Sequence, residues 1–153
     1  MQEIHLVGIN HKTSKVSDRE RFIVDDSNIV YLNDFLRSKL GGKISGFFGL
    51  STCNRTEIYF YGGKDIADDV LKLTKEALNI SDIPDKNFYI YDGVKALEHM
   101  CRVCSGIDSQ VVGEQEIFGQ FKNAYNSAKA FKIVGKELMI YVEKVFEITK
   151  KVR

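Results

Sequence analysis

The chain has 153 residues, 44% of them hydrophobic, with 22 Lys and Arg against 21 Asp and Glu for a net charge of +1. That length makes one domain, or one and a half, and the near-neutral balance excludes a global field drawing in nucleic acid or membrane, so any RNA contact must come from a local patch. The sequence holds no apolar run of about 18 residues for a membrane span and no signal-peptide start, and its three cysteines, an odd number, argue for reduced thiols; a cytoplasmic protein is expected.

Ile4 to Asn10 reads as a strand, with Gly8 marking a close backbone approach. His11 to Arg21 is polar and basic, with Lys12, Lys15, Arg19 and Arg21 against Asp18 and Glu20. A solvated charged turn and an RNA contact both fit it. Ser27 is placed to cap a helix with Ile29, Val30, Leu32, Phe35, Leu36 and Leu40 on one face, and Gly41-Gly42 ends it. A hairpin follows. Ile44, Gly46, Phe48 and Leu50 alternate, Ile58 and Phe60 alternate with Tyr59 and Tyr61, and Ser51 to Thr56 connects the strands. Asp65 is placed to cap a helix carrying Ile66, Val70, Leu71, Thr74 and Leu78, and Phe88 to Tyr91 reads as a last strand.

The order βαββαβ predicts an α+β fold, a ferredoxin-like split βαβ antiparallel sheet with helices on one face. From there the pattern is helical: Val94–Cys104, Glu114–Phe131 and Glu137–Val152, with Ser105-Gly106 breaking the first. The expected division is 1–91 for the ferredoxin-like catalytic part and 92–153 for a helical subdomain. The last helix reaches Arg153 without a cap, which suggests a piece of a longer protein.

Cys53 stands in the polar connection Ser51-Thr52-Cys53-Asn54-Arg55. Free cysteine is usually buried and inert, but flanks of this kind at a strand end do not suit a core residue, and loops on rigid hairpins often carry reacting groups. The thiolate is the nucleophile, and nearby positive charge raises its fraction. Arg55 could supply that charge, or could clamp an anionic substrate, since its planar fork matches a carboxylate.

His99, Cys101 and Cys104 form an H-x-C-x-x-C cluster that superficially suggests zinc or a redox pair. At about 100° per residue the two cysteines fall about 200° and 140° from His99, on the side of Leu97. They read as core residues, with His99 facing the other way beside Arg102 and Val103. His99 is then a satisfied structural group, or a general acid or base if the fold brings it to Cys53. Asp108, Ser109, Glu114, Gln115, Glu116 and Gln120 read as capping groups or as a polar pocket wall.

Four segments, in order, resemble signatures of glutamyl-tRNA reductases: Gly8-Ile9-Asn10-His11-Lys12-Thr13, Ser51 to Glu57, Ser105-Gly106-Ile107-Asp108-Ser109, and Gly113 to Gln120. The resemblance covers the whole chain. It implies the first step of the five-carbon route to tetrapyrroles, including porphyrin and heme: glutamyl-tRNA is converted to glutamate-1-semialdehyde with NADPH. By position it implies that Cys53 attacks the ester to form a thioester and that His99 is needed for full activity. The implied pocket holds Thr52, Cys53, Asn54, Arg55, Ser109, Glu114, Gln115, Glu116 and Gln120, with Arg55 on the glutamate carboxylate. Also implied are a homodimer, a downstream glutamate-1-semialdehyde aminomutase, no metal and no membrane.

There are departures. Met100-Cys101 stands where the family usually has Leu-Phe, Cys104 where it has alanine, and Glu116 where glutamine is frequent. No G-x-G-x-x-G follows a strand, so NADPH is expected on a domain absent from this chain. The chain alone is then expected to acylate or hydrolyse, not to reduce. Rival readings are a Cys/His acyl hydrolase, a non-catalytic RNA-binding or regulatory module, and a metal site.

Overall fold

The computed structural model describes residues 1–106 and 116–152, the last without its side chain. The elements are β1 (Gln2–Asn10), α1 (Val16–Arg21), α2 (Ile29–Leu40), β2 (Ile44–Ser51), β3 (Arg55–Gly63), α3 (Ala67–Ala77), β4 (Tyr89–Asp92), α4 (Val94–Ser105), α5 (Ile117–Ala130) and α6 (Lys136–Val152). The sheet order is β2-β3-β1-β4, and every pair is antiparallel. With β1 and β3 central, this is the ferredoxin-like arrangement expected from the element order.

Alternation along the strands gives the sheet two faces. Phe47, Ile58, Phe60, Val7 and Ile9 look toward α2 and α3. Phe48, Tyr59, Glu57 and Leu6 look toward α4, α5 and α6, where Phe121 and Tyr125 meet Phe48 edge-on at 5.5 and 5.6 Å. One hydrophobic cluster runs through all three layers, so residues on both sides of position 91 share it. Burial on both faces explains why β1 and β3 are covered along nearly their whole length.

Close backbone contacts fix the layers. A Cβ at Gly46 would sit 2.0 Å from the Val134 carbonyl oxygen, and Phe47 N donates to Ile133 O at 3.0 Å. The turn between α5 and α6 is thereby seated on β2, and Gly135 takes a positive φ of 76° to make the bend.

The chain departs from expectation at three local points. Ser27 does not cap α2. It donates to Asp25 Oδ1 at 2.5 Å, and Asn28 occupies the cap position with its side chain bonded back to Ile23 O and Asp25 N rather than to the helix. Asp65 does not cap α3, because that helix starts later, at Ala67, with Ile66 before it. The basic stretch forms α1, whose Arg21 is held by Asp82 at 2.7 Å.

Candidate functional site

The hairpin between β2 and β3 places Cys53 at its tip, exposed. Thr52 N donates to Arg55 O at 2.8 Å, and Asn54 N to Thr52 Oγ1 at 3.2 Å. Ser51 Oγ, which also meets Thr56 Oγ1, accepts from Val24 N at 2.8 Å. His11 N donates to Asn54 O at 2.9 Å. The turn is therefore pinned on both flanks. The thiol itself hydrogen-bonds to none of the described residues.

Beneath the turn lies a buried polar network on the inner face of β3. Arg55 is 1% exposed and Glu57 0%. Arg55 Nη1 lies 3.6 Å from Glu57 Oε2. That oxygen also accepts from His99 Nε2 and from the Tyr89 hydroxyl, both at 2.5 Å, while Oε1 accepts from Tyr59. Burial alone would raise the Glu57 carboxyl. The hydrogen bond and charge of His99, the charge of Arg55 and the Tyr59 hydroxyl outweigh it and hold the group well below the ordinary carboxylate range. Tyr59 is driven the other way, upward, by burial and then by Glu57.

Space for the carboxylate comes from Gly8, which pairs with Glu57 on one side and Tyr89 on the other. A Cβ at Gly8 would lie 2.7 Å from Glu57 Cγ. The close approach expected of Gly8 is thus toward the network.

His99 does not face away from the core. The buried side of α4 comprises Ala96, His99, Met100, Val103 and Cys104, so His99 lies on it at 8% exposure. The helix is covered over a wide arc, and the sheet supplies Glu57 to satisfy the imidazole there. Cys104 is buried in the core as expected, whereas Cys101 only packs against its edge. Burial pushes the Cys101 thiol up, away from reactivity.

Of the other expected site residues, Thr52 and Asn54 shape the thiol turn. Gln120 is exposed on α5, beside a separate hollow of about 460 Å³ that reaches Ser51 and Ser27. Glu116 is exposed at the start of α5. Ser109, Glu114 and Gln115 lie outside the described residues. Glu57, Tyr59 and Tyr89 are the network members that sequence reasoning missed as site residues. A carboxylate inside the run Thr56-Glu57-Ile58-Tyr59-Phe60 was the available signal, since a buried charge requires partners.

A cavity of about 490 Å³ opens on the same network, walled by Asn10, Lys12, Tyr89, Tyr91, His99 and Arg102 among others. Asn10 is the register partner of Arg55. Its Oδ1 accepts from Lys12 N at 2.9 Å and Thr13 N at 3.2 Å, which turns the loop back toward the cavity.

Among the described residues no group of three or more His, Cys, Asp or Glu is placed to hold a metal, and no helix is long and apolar enough to cross a membrane. The strand-to-helix turns do not fit a dinucleotide phosphate. Gly62 is packed against the Lys43 carbonyl, at 2.2 Å from its would-be Cβ, and Gly93 against Glu3 Oε1 at 3.0 Å, a carboxylate that repels phosphate.

Residues 7–153 match the family described as glutamyl-tRNAGlu reductase, N-terminal domain. A glutamyl-tRNA reductase of Marinobacter nauticus is 36% identical over 149 residues, covering 96% of this chain and 34% of the relative. That of Oleidesulfovibrio alaskensis is 38% identical over 154 residues, 99% of this chain and 34% of the relative. The solved glutamyl-tRNA reductase from Methanopyrus kandleri superposes with a TM-score of 0.79 at 31% identity, over 100% of this chain and 35% of that one. This chain thus spans about a third of the length of the curated relatives it matches. Fold, motif order and sequence agree: the chain belongs to the glutamyl-tRNA reductase N-terminal domain family.

Proposed function

We propose that this chain captures the glutamyl group of glutamyl-tRNA on Cys53. The observation that carries the reading is an exposed thiol on a pinned turn, two residues from a buried arginine tied through Glu57 to His99. The Cys53 thiolate attacks the ester carbonyl and forms a C–S bond. The ester C–O bond breaks, and the ribose oxygen leaves with a proton. Glu57 anchors the guanidinium of Arg55, whose planar fork suits a second carboxylate, that of the glutamyl side chain. His99 donates its Nε2–H to the Glu57 carboxylate, which fixes the ring on the wall of the adjoining cavity. Thr52 and Asn54 hold the turn. Ser109, Glu114, Gln115, Glu116 and Gln120 are read as further wall residues of the glutamyl pocket.

In the whole protein, the resemblance assigns reduction of the thioester to NADPH. Among the described residues the strand-to-helix turns at Gly62 and Gly93 do not fit a dinucleotide phosphate, so the chemistry derived for this chain stops at the thioester or its hydrolysis. We read the parent as a cytoplasmic homodimeric oxidoreductase that passes glutamate-1-semialdehyde to an aminomutase. Sedimentation of the full-length protein with and without the aminomutase checks both associations, and a monomer that ignores the aminomutase would refute them.

Incubation with labelled glutamyl-tRNA tests the thiol reading. A glutamyl mass adduct on Cys53, or ester cleavage above background, is expected. Neither adduct nor cleavage would sink the assignment. Arg55→Ala separates it from a general acyl hydrolase: glutamyl esters should lose reactivity while neutral esters keep theirs.

A further inference from the structure

Resting on the reading of Cys53 as acceptor of an RNA-borne acyl group, we propose that the cavity beside His99 seats the 3′-terminal nucleotide of that RNA. Lys12 and Lys95 meet its phosphates, and Tyr91 its base. At about 490 Å³ the cavity has the volume of a small-ligand site. The helical period sets Lys95, Glu98, His99 and Arg102 on one face of α4, and Lys12 arrives from the loop after β1. Among the described residues the rim carries Lys12, Lys95 and Arg102 with the carboxylate of Glu98.

Lys12 and Lys95 are exposed and form no ion pair with any described residue. Other cations are already engaged: Arg21 with Asp82, Lys75 with Asp85, and Lys129 with Glu143. Within the basic stretch 12–21, Arg19 Nη1 donates to Ser14 O at 2.6 Å, and of its cations Lys12 alone lines this cavity. The wall is aromatic as well as cationic. Tyr91 and His99 ring centres lie 5.0 Å apart, and Tyr89 joins them at 5.5 and 5.4 Å. Cations along a backbone track with an aromatic face for the base is the chemistry of single-stranded nucleic-acid binding.

Position selects an RNA end over a free nucleotide. Asn10 lines the cavity and pairs with Arg55, and His11 N donates to Asn54 O at 2.9 Å. Cavity wall and thiol turn are thus in backbone contact, which puts the cavity beside the turn that carries the acceptor thiol.

The test uses the 153-residue chain and a labelled, non-acylated acceptor-stem RNA with a single-stranded CCA end, followed by anisotropy from low to high salt. The double variant K12A/K95A should weaken binding about tenfold. Two single-strand phosphate contacts should also vanish from the salt dependence, lowering the slope of log Kd against log salt by about 1.4. Removing the terminal adenosine should weaken the unsubstituted chain more than K12A/K95A. The pair Lys72→Ala and Lys86→Ala, exposed and outside the cavity, should change neither quantity. Unchanged affinity and slope in K12A/K95A, or an equal loss in the control pair, would overturn the proposal. So would displacement of the RNA by NADPH with loss of NADPH binding in K12A/K95A, which would give the cavity to the dinucleotide. Acylation of Cys53 by a nucleotide-free glutamyl ester, read by mass, tests the thiol reading separately from RNA affinity.

Discussion

Replacing Glu57 with glutamine tests the buried network directly. The carboxylate is fully buried, accepts from Tyr59, Tyr89 and His99, and lies 3.6 Å from Arg55 Nη1. The amide keeps one acceptor oxygen, turns an NH₂ toward a donor, and removes the negative charge beside Arg55. Breaking a buried pair from one side costs about 3–5 kcal/mol. The amide retains part of the bonding, so about 3 kcal/mol is expected at pH 7, a fall of about 6–12 °C in Tm for a domain of this size. The folded carboxyl is shifted down from its ordinary 4.5. Its stabilisation is therefore complete above that pH and is lost as pH falls toward the folded value. Each pH unit in that window removes about 1.4 kcal/mol, so by pH 3 the gap between the natural chain and E57Q should shrink to about 1 kcal/mol. Urea unfolding at pH 7, 5, 4 and 3, followed by circular dichroism, measures this. A gap that stays constant with pH, or no gap at pH 7, would refute an ionised carboxylate in the core.

Cys53→Ser should abolish the glutamyl adduct while moving stability by less than about 0.5 kcal/mol, because the side chain is exposed; a large loss of stability would show the thiol to be structural. Gly8→Ala should destabilise by about 1–3 kcal/mol, since its methyl would meet Glu57 Cγ at 2.7 Å and Thr56 O at 3.0 Å, and denaturant titration showing no change would refute the packing argument. Gly46→Ala should be more damaging still, because the obstacle is the Val134 backbone at 2.0 Å; faster amide exchange at Phe47, whose N–H bonds Ile133 O, is the local signature to measure. Arg55→Lys should reduce reactivity toward glutamyl esters relative to neutral ones, since a point charge cannot hold a carboxylate in two-pronged fashion; equal rates on both would remove the clamp.

The sequence showed the sheet because turn signals and alternation are local. Gly41-Gly42 ended α2, and the hairpin strands and the split βαβ order followed from period alone. Caps were less legible: Ser27 and Asp65 had the right chemistry, but the caps of α2 and α3 fall one residue later, at Asn28 and Ile66. The orientation of His99 was not legible either. Helical spacing ranks faces only when one narrow stripe is buried, and α4 is covered from Ala96 round to Cys104. The partner that satisfies His99 comes from a strand 42 positions away. No local pattern encodes that pairing, although the isolated carboxylate of β3 announced that some partner had to exist.

The network beneath the thiol is hard to explain as a device for stability. Removing a carboxylate from water costs several kcal/mol, and well-packed apolar residues of similar volume would often hold a core as firmly. The ring of Tyr59, whose hydroxyl bonds Glu57, packs against Phe48 and Phe121, so an aromatic core adjoins the carboxylate. What the carboxylate does that a leucine could not is fix direction. It sets the His99 ring through Nε2, orients Tyr89 through its hydroxyl, and steers the Arg55 guanidinium. Those three groups come from α4, β4 and β3, and two of them line the cavity while the third adjoins the Cys53 turn. The cost of a buried charge is accepted where it aligns separate elements beneath one exposed thiol. The thiol stays exposed and adaptable, and the precision lies in the layer beneath it.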